Sequence, residues 1–147
     1  MILIRSYTYG DIPVLQKNGY RNKSIEELQA LIDTWNREIY ENSYFEMFAI
    51  DHGGVVVGNA SLYQRSQSIV SCGLEIYPEY QRKGYATGAY AQLLQIAKAR
   101  GYKIAVAQVS ADNEPSIALN RKLGFEAEEY RYIKQKGKEI YYFIKCL

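Results

Sequence analysis

The stretch from Ile69 to Val109 constrains the fold more than any other part of the sequence. Alternating apolar residues predict a strand over Ile69–Tyr77, and apolar residues at helical spacing predict a helix over Arg82–Arg100. A glycine ends this helix, and a second strand over Lys103–Val109 follows. A strand–helix–strand unit of this kind places its two strands parallel through a right-handed crossover. We therefore expect a sheet that contains a parallel pair, with this helix on one face.

The rest of the chain predicts antiparallel strands and further helices. Ser24 and Glu27 form a capping box, and an apolar stripe from Ile25 to Ile39 predicts a helix of about 16 residues. The other predicted elements are a strand over Ile2–Tyr7, a short helix capped by Asp11, strands over Tyr44–Ile50, from Val55 and a helix over Glu114–Leu123, and tail strands over Phe125–Ile133 and Glu139–Cys146. The order β-α-α-β-β-β-α-β-α-β-β predicts a mixed α+β fold, with about seven strands in one central sheet and about four helices. We expect residues 1–147 to form a single domain.

Composition excludes several other classes of protein. The 147 residues are 48% apolar, which is enough for a folded core, and the net charge of +2 is too mild to favour a nucleic-acid partner. No apolar run approaches the ~20 residues of a membrane-spanning helix. The two cysteines lack the spacing of a metal site. We expect a cytoplasmic protein with no membrane, nucleic-acid or metal partner.

The turn before the long helix is the most informative site in the sequence. The helix begins with Arg82 and Lys83 and has no acidic residue in its first turn, although the positive end of the helix dipole normally favours Asp or Glu there. Gly84 removes a side chain where backbone amides can approach an anion. The pattern predicts a phosphate or pyrophosphate site, with a solvated glycine turn as the alternative. The segment has neither the Gly-Lys-Ser/Thr of a Walker loop nor a dinucleotide fingerprint.

Three motifs give this region a family resemblance. Gln81–Ala86 matches the pattern Gln/Arg-x-x-Gly-x-Gly/Ala, and Glu75–Tyr80 supplies the strand and turn before it. Asn113–Ser116 and Lys122–Phe125 match a second signature, Asn-x-x-Ser followed by Lys-Leu-Gly-Phe. In these motifs and in its element order, the chain resembles the GCN5-related N-acetyltransferase (GNAT) superfamily. Its wording is most similar to the branch that acetylates the N-termini of ribosomal proteins.

The resemblance implies acetyl-CoA as the acetyl donor and assigns residues to it. The strand residues expected to pair with the pantetheine arm are Leu74, Glu75 and Ile76. The residues whose amides are expected around the pyrophosphate are Arg82, Lys83, Gly84, Tyr85, Ala86 and Thr87. Asn113 matches the position near the reactive end of the cofactor, with a helix cap as the simpler interpretation, and Ser116 matches the family serine of the next helix.

Two departures from the family pattern leave the acid and the base open. Asn120 stands where the superfamily often has a tyrosine acid, and Gln108 stands where some members have a glutamate. We hypothesise that Glu75 assists deprotonation of the amine and that Ser116 assists the leaving thiolate. An ordinary exposed carboxylate is the alternative for Glu75. The tail tyrosines, which by resemblance flank the acceptor site or a homodimer contact, are further candidates for the acid: Tyr130, Tyr132, Tyr141 and Tyr142.

The acceptor is the least constrained part of the function. Ser24–Glu46 contains six acidic residues and one basic residue, which predicts a cationic amine such as a peptide N-terminus, a polyamine or an aminoglycoside-like compound. An equally good interpretation is that these carboxylates only solvate a helix face. The predicted function is acetyl transfer to an amine by direct attack in a ternary complex. The alternatives are a non-catalytic acyl-CoA-binding module, which the losses at Asn120 and Gln108 favour, and a weakly supported RNA-binding protein.

Overall fold

The structure is a computed structural model that describes residues 1–147, apart from the side chain of Gln135. Its helices are α1 (Ile12–Lys17), α2 (Ile25–Asn36), α3 (Tyr85–Ala99) and α4 (Glu114–Lys122), with 3₁₀ turns at Tyr9–Asp11, Pro78–Tyr80 and Gln135–Gly137. Its strands are β1 (Ile2–Ser6), β2 (Ile39–Tyr40), β3 (Ser43–His52), β4 (Val55–Gln64), β5 (Ile69–Ile76), β6 (Ile104–Ser110), β7 (Glu126–Ala127), β8 (Tyr132–Ile133) and β9 (Glu139–Cys146). None of the helices in the described chain combines the length and the hydrophobicity that a membrane crossing needs.

One mixed sheet organises the molecule, with the strand order β1-β3-β4-β5-β6-β9-β7. Strands β5 and β6 are parallel, and every other neighbouring pair on this path is antiparallel. The predicted parallel pair, the seven-strand path and the four helices are therefore confirmed. The two-residue strands β2 and β8 lie off the path and pair with β3 and β9.

The two faces of the sheet have different coverings. Alternate residues of β5, such as Val70 and Cys72, face the core under α3, where Leu93 and Phe143 are fully buried. Helices α1 and α2 cover part of the opposite face through a second core that contains Trp35. Because side chains alternate along a strand, Glu75 points away from the α3 core, towards the α1–α2 side.

Local predictions failed at three places. Helix α2 ends at Asn36, and Ile39 is 60% exposed because the chain leaves the helix through Glu38, whose φ of 61° is left-handed. Asp11 does not cap α1, because its carboxylate instead accepts hydrogen bonds from Arg5 and from the Thr8 backbone N–H, at 2.8 and 2.9 Å. The predicted strand over Phe125–Ile133 is divided into β7 and β8.

Candidate active site

A wedge opens between the two parallel strands. Strands β5 and β6 pair only from Ile69 to Ser71 on β5, and both strands continue for several residues beyond this point. Further along, β5 bonds to β4 on its outer side, and β6 bonds to β9 on its outer side. The facing backbone edges are thus free of strand partners in the described chain, so an extended ligand with amide groups can pair with them as an added strand. The predicted donor strand, Leu74 to Ile76, lies on this edge.

Gly58 on β4 fixes the position of that edge. It lies opposite Ile76 in the β4–β5 register. A Cβ at Gly58 would stand 2.0 Å from the carbonyl oxygen of Glu75, so only glycine permits this close approach of the two strands. The sequence motifs gave no reason to single out Gly58, because the approach involves two strands.

The basic turn between β5 and α3 has the geometry of an anion site. Arg82 and Gly84 both have left-handed backbones, with φ of 62° and 80°, and Gly84 is the N-cap of α3. The first turn of α3 contains no acidic residue, and Arg82 and Lys83 are exposed. Free backbone amides and the positive end of the helix dipole therefore meet at this turn. A Cβ built on Gly84 has nothing within 4 Å, so there is room for a ligand above it.

Two side chains support this turn from neighbouring strands. Gln81 donates a hydrogen bond from Nε2 to the carbonyl oxygen of Ile76 at 3.0 Å, which ties the turn to the end of β5. The ring of His52 lies 4.5 Å from the ring of Tyr85, in the first turn of α3. The hairpin position of His52 predicted an exposed side chain, but His52 is half-buried. This contact joins residues distant in sequence, and no local pattern signals it.

The second motif forms the start of α4, beyond the end of β6. Asn113 accepts a hydrogen bond through Oδ1 from the N–H of Ser116 at 3.2 Å, so it is a helix cap, and Ser116 is half-buried. Asn120 is 2% exposed and cannot act as the missing acid. It accepts a hydrogen bond from the Tyr90 hydroxyl at 3.1 Å and donates one to the Ser116 carbonyl at 2.8 Å. Asn120 therefore ties α4 to α3.

Glu75 lies where strand β5 leaves the core, with an exposed side chain. Tyr77 follows two residues later and is buried beside Tyr7. Burial is the main reason that the pKa of Tyr77 lies above its ordinary value, and the charge of Glu75 raises it further. The same two causes raise the pKa of Tyr20, together with Tyr77. The sequence analysis considered only the tail tyrosines and missed this group, because tyrosines occur throughout the chain.

The tail residues have a mixed placement. Gln108 is exposed on β6 and lies opposite Tyr142 of β9. The Tyr132 hydroxyl donates to Glu128 at 2.6 Å, and the Tyr141 hydroxyl accepts from Arg131 at 2.8 Å. Tyr132 and Tyr141 are therefore engaged with neighbouring charged side chains.

Most of the acidic segment has structural partners. Glu46 is 5% exposed and accepts hydrogen bonds from Arg100 at 2.7 and 2.9 Å, and Glu38 lies 3.5 Å from the same guanidinium. Glu27 closes the capping box of α2, and Asp33 accepts the Tyr9 hydroxyl at 2.6 Å. The structure thus favours the interpretation in which these carboxylates serve the fold, over a cleft lined with free negative charge.

Comparison with known proteins agrees with this geometry. The sequence model of the acetyltransferase (GNAT) family matches residues 14–125. This chain belongs to the GNAT family. It is therefore an acyltransferase that depends on acetyl-CoA, as the motifs predicted.

The similar proteins include one curated relative and three solved structures with matching folds. An uncharacterized N-acetyltransferase of Bacillus pumilus is 28% identical over 130 residues, which cover 81% of this chain and 77% of the relative. The yncA protein of Salmonella typhimurium, solved with its cofactor acetyl-CoA, has a TM-score of 0.77 at 18% identity and covers 100% of this chain and 94% of its own. A ribosomal-protein-alanine N-acetyltransferase of Brucella melitensis has a TM-score of 0.77 at 22% identity, covering 99% of both chains. A spermidine N-acetyltransferase of Vibrio cholerae, in complex with CoA and spermine, has a TM-score of 0.77 at 19% identity and covers 99% of this chain and 95% of its own. At these identities the three structures show a shared GNAT fold.

Proposed function

We propose that this protein transfers the acetyl group of acetyl-CoA to a primary amine by direct attack within a ternary complex. The observation that carries the proposal is the wedge between β5 and β6, which leads to the basic turn before α3. The wedge offers backbone partners for the pantetheine arm at Leu74, Glu75 and Ile76, and the turn offers amides for the pyrophosphate. Bound in this way, the thioester lies at the open end of the wedge.

The amides in this proposal belong to the residues that the motif identified: Arg82, Lys83, Gly84, Tyr85, Ala86 and Thr87. Asn113 and Ser116 begin α4 at the other side of the wedge opening. The cap role of Asn113 leaves its Nδ2 group as the donor for the cofactor, because only Oδ1 is used by Ser116.

Direct attack is supported by the positions of the two thiols. Cys72 is buried under α3, and burial raises its pKa to about 12, so it is protonated at neutral pH and is a poor nucleophile. Cys146 lies opposite Ile104, at the closed end of the wedge. Neither thiol is therefore placed to form an acetyl-enzyme at the open end.

Acid–base chemistry falls to Glu75 and Ser116 in this proposal. An alkyl amine with a pKa of about 10.4 must lose a proton before it attacks, and the Glu75 carboxylate is the nearest base on the donor strand. A thiolate with a conjugate-acid pKa of about 8.5 needs only modest help to leave, which the Ser116 hydroxyl can give. Holding both reactants in place can itself lower the barrier by ~7–11 kcal/mol.

An amine acceptor is also supported by the names of the structural neighbours, which include a spermidine and a ribosomal-protein-alanine N-acetyltransferase. The experiment is incubation of the protein with acetyl-CoA and a panel of polyamines, peptides and aminoglycosides, followed by mass spectrometry. We expect one member to gain a single acetyl group. If acetyl-CoA binds but no panel member is modified, the non-catalytic acyl-CoA-binding module, which Asn120 and Gln108 favour, replaces this proposal. A cytoplasmic location and a homodimer remain predictions.

A further inference from the structure

Two buried hydroxyl groups lie close to the proposed site without a partner. Tyr7 and Tyr77 are each 1% exposed, and neither hydroxyl forms a hydrogen bond within the described part of the chain. Buried polar groups are normally paired, and an unpaired group calls for an explanation such as a ligand. Burial raises the pKa of both tyrosines, and their interaction raises that of Tyr7 further, so both hydroxyls are neutral and lie close together.

The backbone holds both tyrosines firmly. Tyr77 directly follows β5, and its N–H donates to the carbonyl oxygen of Val57 at 2.9 Å. Tyr7 directly follows β1, and its carbonyl oxygen accepts a hydrogen bond from Asn36 at 2.9 Å. The pair is therefore preorganised at the end of the donor strand, on the face that α1 and α2 cover.

The surroundings of the pair are aromatic and carry negative charge. The ring of Tyr7 lies 5.2 Å from Trp35, and the half-buried ring of Tyr20 meets Trp35 edge-on at 6.1 Å. Glu75 and Asp11 both act electrostatically on Tyr77. Aromatic faces and carboxylates stabilise a cation and disfavour an anion.

We propose that the hydroxyls of Tyr7 and Tyr77 form the polar floor of the acceptor pocket and hold the ammonium group of a cationic primary amine. Each hydroxyl oxygen accepts one N–H of the ammonium group, and the remaining proton is the one that Glu75 removes before attack. Tyr7 and Tyr77 are positioning residues that orient the nitrogen. This inference rests on the proposed function, because it assigns the acceptor side of the same site.

The test uses three probes of similar shape and different charge: butylamine, butanol and butyrate. Calorimetry of the CoA-loaded protein measures their Kd values, and the fluorescence of Trp35 locates the binding, because Trp35 is the only tryptophan in the chain. We expect butylamine to bind, to change the Trp35 emission and to bind better than butanol or butyrate. Equal binding of the three probes, or butylamine binding that leaves the Trp35 emission unchanged, would overturn the inference.

The variants Tyr7→Phe and Tyr77→Phe keep the rings and remove the hydroxyls. Since a hydrogen bond to a charged group is lost, each variant should raise the Kd of butylamine, and the KM of the amine acetylated in the panel, about tenfold or more. The Kd of acetyl-CoA should not change. Tyr9→Phe is the matched control, because the Tyr9 hydroxyl bonds to Asp33 on the outside of α2.

The outcomes separate this inference from the proposed function. If the hydroxyls serve only the fold, the Phe variants will melt at a lower temperature and keep the wild-type KM and Kd, which contradicts the inference. If the wild-type protein acetylates an amine and both variants keep its KM, only the inference fails. If butylamine binding depends on the two hydroxyls but no amine is acetylated, the inference holds and the proposed function fails.

Discussion

Replacing Gly58 with alanine tests whether β4 sets the position of the donor strand. The new Cβ would lie 2.0 Å from the carbonyl oxygen of Glu75 and 3.0 Å from the Cα of Ile76. Non-bonded heavy atoms pack at about 3.5–4 Å, so the Glu75 peptide must retreat by roughly 1 Å or more. The displaced groups are backbone atoms of a strand that is bonded along its length to β4, and they cannot rotate away as a side chain would.

Two magnitudes follow from this displacement. Overpacking of this kind costs ~1–3 kcal/mol, which lowers the melting temperature by roughly 3–10 °C in a chain of this size. A shift of about 1 Å in a positioning element can reduce turnover by ~10²-fold. We therefore expect Gly58→Ala to lower both the melting temperature and kcat/KM, with the larger relative effect on kcat/KM.

The assay compares thermal melting, the Kd of acetyl-CoA and kcat/KM on the acetylated panel amine. Gly10→Ala is the control, because its new Cβ would meet only the Thr8 hydroxyl, at an ordinary distance of 3.5 Å. Gly10→Ala should behave like the wild-type protein in all three measurements. The reasoning is refuted if Gly58→Ala keeps its melting temperature and a kcat/KM within about twofold of the wild type.

Three further changes probe the donor site, the chemistry and the thiols. Gly84→Glu introduces a side chain and a negative charge at the proposed pyrophosphate site, so calorimetry should show no acetyl-CoA binding; wild-type affinity would contradict the assignment. Glu75→Gln and Ser116→Ala should each lower kcat by ~10–100-fold, and wild-type rates in both would move the catalytic role elsewhere. Because the pKa of Cys72 is raised to about 12, its thiolate is scarce at pH 8 and increases as the pH rises, so a thiol reagent should modify exposed Cys146 alone on the native protein at pH 8; rapid modification of two thiols would be the contrary result.

The parts of the fold that could be predicted from the sequence depend on local patterns. The strand–helix–strand unit gave the parallel pair, because connection length and handedness decide the topology. The basic turn at Arg82 and Gly84 was visible because a helix start without an acidic residue departs from the usual preference. The end of α2 was not visible, since the apolar spacing continues to Ile39 and nothing at Glu38 signals a left-handed backbone.

Features that depend on tertiary contacts escaped the sequence analysis. The acidic segment looks like a charged patch in the sequence, but Glu46 is bonded to Arg100, 54 positions away. Asn120 looked like a lost acid, whereas in the fold it is a buried link to Tyr90. Tyr7 and Tyr77 come together only because the sheet places β1 and β5 near the same helices. Single-sequence patterns do not contain these distances.

The most direct test of acetyl transfer by direct attack is a mass measurement on the protein and its product during one turnover. The protein is mixed with less than one equivalent of acetyl-CoA, first alone and then with the amine identified in the panel. The account predicts that the mass of the protein never increases by an acetyl group, and that acetylated amine and free CoA form together only when the amine is present. An acetylated form of the protein that passes its acetyl group to the amine, after free CoA has already been released, would contradict it.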